Sequence, residues 1–442
     1  MTALIVIYNV LMLVGLCLLC PVWPVLLVHR EKHRRLFFNR LFMHSIDVAA
    51  IAAEPDDRSE RIWVHALSVG EVLSAEPLVK ALAQRYGSGN LVFTASTQTG
   101  FTLASRVISP YVSALRHFPY DTILSVKRSV GIIRPRKVVI VETDIWPNFL
   151  FHLHQRRIPV YLVNARLSDR SFRGYRRLGF LMMPLLSVFD AICVQSESDR
   201  LRFRQLGVAD EKLAAVGNIK FDQAPVSVAR SELDRLARRL NLASDAPIWV
   251  AGSTHDGEEE MVSAAFRRLQ ASGIDAAMIV APRDPTRAKA VCTIFKRSGI
   301  DARTLSQIQR HPKAVQQVVV IDRIGVLRRL YALADVAFVG GSLVKAGGHN
   351  PLEPAAVGKP ILFGPHTEDF RWICQTLEHA GGALRVSDSD QLAEKVCGLL
   401  KNPHRRNQIG RRAFEVFGKH QGAVERTLTV LLNADHRVPW PD

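Results

Sequence analysis

Cysteine is scarce, with six in 442 residues. Cys193, Cys292, Cys374 and Cys397 are scattered, while Cys17 and Cys20 lie in an apolar stretch with no histidine or carboxylate nearby to complete a metal set. That usage fits a reducing compartment and argues against a disulfide framework or a zinc site. Aromatic residues are only 7% of the chain and no base-stacking module is visible, so the formal charge of +17 is not assigned to nucleic acid. The acidic partner it calls for is then an anionic membrane or a phosphorylated substrate. There is no G-x-S-x-G elbow, which removes a hydrolase reading of Ser68 and His349. Short repeats and low-complexity tracts are also missing.

Charge is missing from residues 3–28, a length that can cross a bilayer as a helix. Arg30, Lys32, Arg34, Arg35 and Arg40 follow, opposed nearby only by Glu31. A cleavable signal would carry positive charge before its apolar run and small residues at a cleavage site. The expectation is therefore a retained single-pass anchor over residues 1–29, with the rest of the chain on the cytoplasmic side. A second basic run, Arg166, Arg170, Arg173, Arg176 and Arg177, leads into apolar residues 178–186. This pattern suits anionic headgroups and acyl chains, and equally a basic surface followed by a core helix.

What is abundant is the alternation of apolar runs with helical patterns. Runs at 62–66, 91–95, 138–141, 160–163 and 191–194 predict strands of a mostly parallel sheet. Between residues 221 and 246 an arginine-rich helical pattern intervenes, and a second series follows at 248–251, 277–280, 318–321, 336–339 and 360–363. The chain reads as α/β, with domains over 30–230 and 231–442 and a cleft between them.

Polar residues cluster where these strands end. Glu71 opens a helical pattern after the first run, placed either as a general base or as a favourable acid in a first turn. Glu142 and Asp144 leave the run at 138–141, as a metal pair or, the reading preferred for want of a third ligand, as a helix cap before Pro147. Lys220 follows an apolar run at 213–216 and could neutralise developing charge. In the second half, Gly252-Ser253-Thr254-His255 and Pro282-Arg283-Asp284 offer donors to a phosphate. Gly340-Gly341-Ser342, then Gly347-Gly348-His349-Asn350-Pro351-Leu352-Glu353, read as a glycine turn and a helix start, either a phosphate pocket or an ordinary turn.

Taken in order, residues 65–71, 142–148, 164–168, 217–222, 282–283, 340–342, 348–356 and 364–366 resemble the motifs of the 3-deoxy-D-manno-octulosonic acid (Kdo) transferases. The resemblance runs from the N-terminus to about residue 370. It implies a GT-B glycosyltransferase of two Rossmann-like domains, acceptor on the first and CMP-sugar on the second, with no metal or other cofactor. It further implies Glu71 as proton acceptor and Glu142 and Lys220 as transition-state stabilisers. The implied CMP contacts are Pro282, Arg283, Ile324, Gly325, Val326, Asn350, Pro351, Leu352 and Glu353. Donor and acceptor would be CMP-Kdo and the lipid A precursor (lipid IVA), met at the inner membrane. The chain departs from the family pattern at Val326, usually acidic, at Asp284, commonly histidine, and around Arg40-Leu41-Phe42. Another nucleotide sugar, or a membrane-bound scaffold without catalysis, are the competing expectations. Joint retention of Glu71, Glu142 and Lys220 speaks against the scaffold.

Overall fold

Runs such as Ile62–Ala66 and Leu91–Ala95 are buried at every position, a pattern that requires both faces of a parallel strand to be covered. The computed structural model describes residues 2–19, 40, 61–142, 144–222, 230–242, 246–310 and 317–435. The chain divides into one unit of Met1–Gln223 with Gln421–Asp442, and a second of Ala224–His420.

The first unit holds β1 (Ile62–Ala66), β2 (Leu91–Ala95), β3 (Ala114–His117), β4 (Lys137–Val141), β5 (Val160–Ala165), β6 (Ala191–Val194) and β7 (Leu213–Ala215). Their order is β3-β2-β1-β4-β5-β6-β7, with every pairing parallel. Successive side chains point into opposite layers: Trp63 packs with Val138 and Leu162, whereas Ile62 and Val64 pack with Phe93 and Val139 on the other face. Helices cover both layers, which makes the sheet doubly wound.

The second unit holds β8 (Ile248–Thr254), β9 (Ala277–Pro282), β10 (Ala302–Thr304), β11 (Val318–Val320), β12 (Val336–Val339), β13 (Ile361–Phe363) and β14 (Ala383–Arg385). The order is β10-β11-β9-β8-β12-β13-β14, again wholly parallel. Strand order reverses between β1 and β4 in one sheet and between β8 and β12 in the other. Open α/β sheets bind ligands at such switch points, outside the carboxyl ends of the strands.

Helix Thr2–Leu19 lies against helix Pro147–Gln155, with Ile5 buried and the amides of Asn9 and Asn148 exchanging hydrogen bonds at 2.7 and 3.0 Å. Its other side presents Val6, Ile7, Val10, Leu11, Leu13 and Val14. The rest of the expected anchor, residues 20–29, and the basic residues from Arg30 to Arg35 lie outside the described residues. Among the described residues no helix is long and apolar enough to cross a membrane. At the opposite end of the chain, helix Ala423–Asp435 belongs to the first unit and places Ala423, Val424 and Leu431 in its core.

Candidate active site

Glu71 stands in the first turn of helix Val69–Tyr86, directly beyond β1. Its Oε2 accepts the Leu67 N–H at 2.5 Å and its Oε1 accepts the Ser68 hydroxyl at 3.1 Å. The carboxylate thus reaches back over the helix start to the residue before the cap. Burial, then the charges of Asp144 and Glu142, push its pKa up to about 8 against those two hydrogen bonds. A carboxylate of that basicity is matched to proton abstraction near neutral pH.

Glu142 leaves β4 with φ 64°, in the left-handed region that non-glycine residues rarely occupy. Its N–H donates to Val163 O at 2.8 Å, which fixes the turn. The side chain stands 3.2 Å from Lys220 Nζ through Oε1 and 3.9 Å from Arg166 Nε through Oε2. β1 and β4 are neighbours at the switch point, so Glu71 and Glu142 flank the place where a ligand is expected. Asp144 is raised to about 7 by burial and by Glu142.

Lys220 is aimed by a polar strut that local sequence does not disclose. Asn164, at the end of β5 with φ 54°, accepts the Ile219 N–H at 3.2 Å through Oδ1. Its carbonyl accepts from Gln195 Nε2 at 2.9 Å, Gln195 Oε1 accepts from Asn218 at 2.9 Å, and Asn218 Oδ1 accepts the Lys220 N–H at 2.9 Å. Asn164, Gln195 and Asn218 are all buried. Buried amides joined in this way rigidify a loop because each loss would strand a partner. Asp222 then accepts the N–H groups of Gly422 and Val424, and Arg426 donates to Val216 O at 2.8 Å, so the last helix clasps the same loop.

In the second unit the glycine turn after β12 does hold an anion, but the anion is the protein's own. The fully buried Glu258 carboxylate accepts N–H groups from Gly341 at 2.7 Å, Ser342 at 3.1 Å, Leu343 at 2.9 Å and His255 at 3.2 Å. Gly341 has φ 67°, and a Cβ there would stand 2.9 Å from the His349 ring, so only glycine fits. His255 and His349 stack with their Nε2 atoms 2.7 Å apart. Burial and the neighbouring Arg283 hold His349 down at about 4, so both rings share a hydrogen bond in neutral form.

The residues implied as CMP contacts fall on three loops of this sheet. Pro282 ends β9, and the Arg283 N–H donates to Thr254 O at 2.9 Å. Ile324 is exposed beside Gly325, φ 87°, and Val326 caps helix Leu327–Leu333 while packing on its core. Asn350 Oδ1 accepts the Leu352 N–H at 3.1 Å at the head of Leu352–Ala355, a single turn. Burial raises the Glu353 carboxyl, and Arg328 and Arg283 draw it back. Asp284 spends its carboxylate on Thr286, at 3.0 Å to the N–H and 2.7 Å to the hydroxyl.

Two doubly wound units of parallel strands, each carrying polar loops at a switch point, define the architecture of GT-B glycosyltransferases and the enzymes that share their fold. The UDP-GlcNAc 2-epimerase of Neisseria meningitidis has this fold, with a TM-score of 0.59 at 11% identity over 84% of this chain and 100% of that one. A glycosyltransferase from Rickettsia africae gives a TM-score of 0.55 at 11% identity over 85% of this chain and 98% of its own. Residues 38–223 match the family model for 3-deoxy-D-manno-octulosonic-acid transferase (kdotransferase). The Haemophilus influenzae 3-deoxy-D-manno-octulosonic acid transferase is 36% identical over 375 residues, 84% of this chain and 86% of its own. That of Bordetella pertussis is 30% identical over 387 residues, 86% of this chain and 89% of its own. The chain belongs to this family, as its ordered motifs imply, and is a Kdo glycosyltransferase of lipopolysaccharide biosynthesis.

Proposed function

We propose that the protein transfers Kdo from CMP-Kdo to a hydroxyl of the lipid A precursor, with inversion at the anomeric carbon. The observation that carries this reading is the meeting of Glu71 with the Glu142–Lys220 ion pair at the β1/β4 switch point. Glu71 takes the acceptor's proton as its oxygen attacks, and the proton remains on a carboxyl whose basicity suits it. Lys220 and Glu142 present fixed charges to the sugar as its anomeric carbon becomes electron-poor. The bond from the anomeric carbon to CMP breaks as this happens, and the residues proposed to hold the CMP are Arg283 and the loops at 324–326 and 350–353, the guanidinium suiting a phosphate.

The chain works at the cytoplasmic face of the inner membrane, held by residues 3–28. Support comes from the exposed apolar side of Thr2–Leu19, and from exposed Leu178, Phe180 and Met183 beside the arginines of helix Asp169–Arg177. Full-length protein in detergent, supplied with CMP-Kdo generated in situ and tetra-acylated lipid A precursor, is expected to add the mass of one or more Kdo units. Glu71→Ala should add none. No product from the wild-type chain with intact CMP-Kdo would overturn the donor assignment and direct attention to Val326 and Asp284.

A further inference from the structure

Asp144 is not accounted for by the roles given to Glu71, Glu142 and Lys220. Its Oδ2 is buried without a hydrogen-bond partner, and 3.6 Å away stands His65 Nε2, equally buried and equally without one. His65 is 0% exposed and cannot turn away, because its ring stacks on Phe118 with centroids 3.8 Å apart. Its Nδ1 lies 3.0 Å from the Thr94 hydroxyl and 3.2 Å from the Thr94 carbonyl. The Thr94 hydroxyl oxygen also accepts the Trp63 indole N–H at 2.8 Å, so Thr94 is itself held in place beside the ring. With Nδ1 held at Thr94, His65 turns Nε2 towards Asp144.

Burial drives the His65 pKa down to about 3, so the ring beside Asp144 is neutral. A neutral imidazole orients a carboxylate without cancelling its charge. The cations of the site, Lys220 and Arg166, stand on Glu142 instead. Among the described residues, the ionisable groups that act on Asp144 or feel its charge are Glu71, Glu142 and Tyr175, and Arg40 acts on His65. After burial, the charges that raise Glu71 are those of Asp144 and then Glu142.

We infer that Asp144, steadied by His65, is a positioning residue whose charge keeps Glu71 basic enough to take the acceptor proton. This rests on Glu71 being the base. The like-charge effect is general, since two carboxyl groups in one site separate their titrations.

The test is the pH profile of kcat/KM for Kdo transfer by the full-length protein, wild type beside Asp144→Asn, Asp144→Ser and Asp144→Glu. Both neutral variants are expected to move the acid limb down by about one pH unit and to lower the plateau by about three- to tenfold, as a weaker base would. Asp144→Glu should restore the limb. An unmoved limb, or a loss uniform across pH, overturns the proposal, as does failure of both neutral variants to fold, the carboxylate then being structural. Glu71→Gln separates the two readings. Full activity in that variant removes Glu71 as the base, whereas inactivity with an unmoved Asp144→Asn limb removes only the role of Asp144.

Discussion

Lys220 Nζ lies 3.2 Å from Glu142 Oε1, a partner that holds a left-handed backbone conformation at φ 64°. A strained residue fixed by an ion pair at a strand end is a device for holding charge in place before substrate arrives. Replacement of Lys220 by Met is expected to lower kcat by about 10²–10³ with little change in KM. Steady-state kinetics with varied acceptor would show it, and an equal loss confined to KM would place Lys220 in binding alone.

Glu71 titrates at about 8 in the folded protein against an ordinary 4.5. The native state therefore holds this proton more tightly across that window, and its contribution to stability falls as pH rises through it. Glu71→Gln removes that fall. The variant is expected to be inactive at every pH, yet to melt about 2–5 °C above wild type at pH 8 and no higher at pH 4. Thermal unfolding at the two pH values decides the matter.

Glu258 fills the turn after β12, and its removal orphans four N–H groups, three of them buried. Glu258→Ala is expected to destabilise the second unit by about 3–5 kcal/mol, with Glu258→Gln losing less. Urea unfolding monitored by tryptophan fluorescence would report this through Trp249, which is buried in that unit.

Asn9 places one amide in an otherwise apolar helix and spends it on Asn148, which is 3% exposed. Asn9→Ala leaves Asn148 short of a partner, at an expected cost of about 1 kcal/mol. A matching fall in Tm of about 2–4 °C in detergent would be the sign, and an unchanged Tm would show the pair to be idle.

The central strands were legible because residues buried on both faces give unbroken apolar runs. β3, β10 and β14 were not, since each lies at a sheet edge, where part of the strand meets solvent and the run dissolves. Glu71, Glu142 and Lys220 stood out because each follows such a run. The strut through Asn164, Gln195 and Asn218 could not, because its bonds join residues 23, 31 and 55 positions apart. Glycines announced converging N–H groups at residues 340–342, but not that their anion would be Glu258, 83 positions upstream of Gly341.

The return of helix Ala423–Asp435 to the first unit also sets a timetable for biosynthesis. The loop bearing Lys220 gains Arg426 and the N–H groups of Gly422 and Val424 only after residues 422–426 have left the ribosome. Residues 224–420 are complete before that moment and can fold as a unit in the meantime. The unit that holds Glu71 is closed after residues 224–420 have been made, so a chain terminated before Gly422 lacks the clasp on its Lys220 loop.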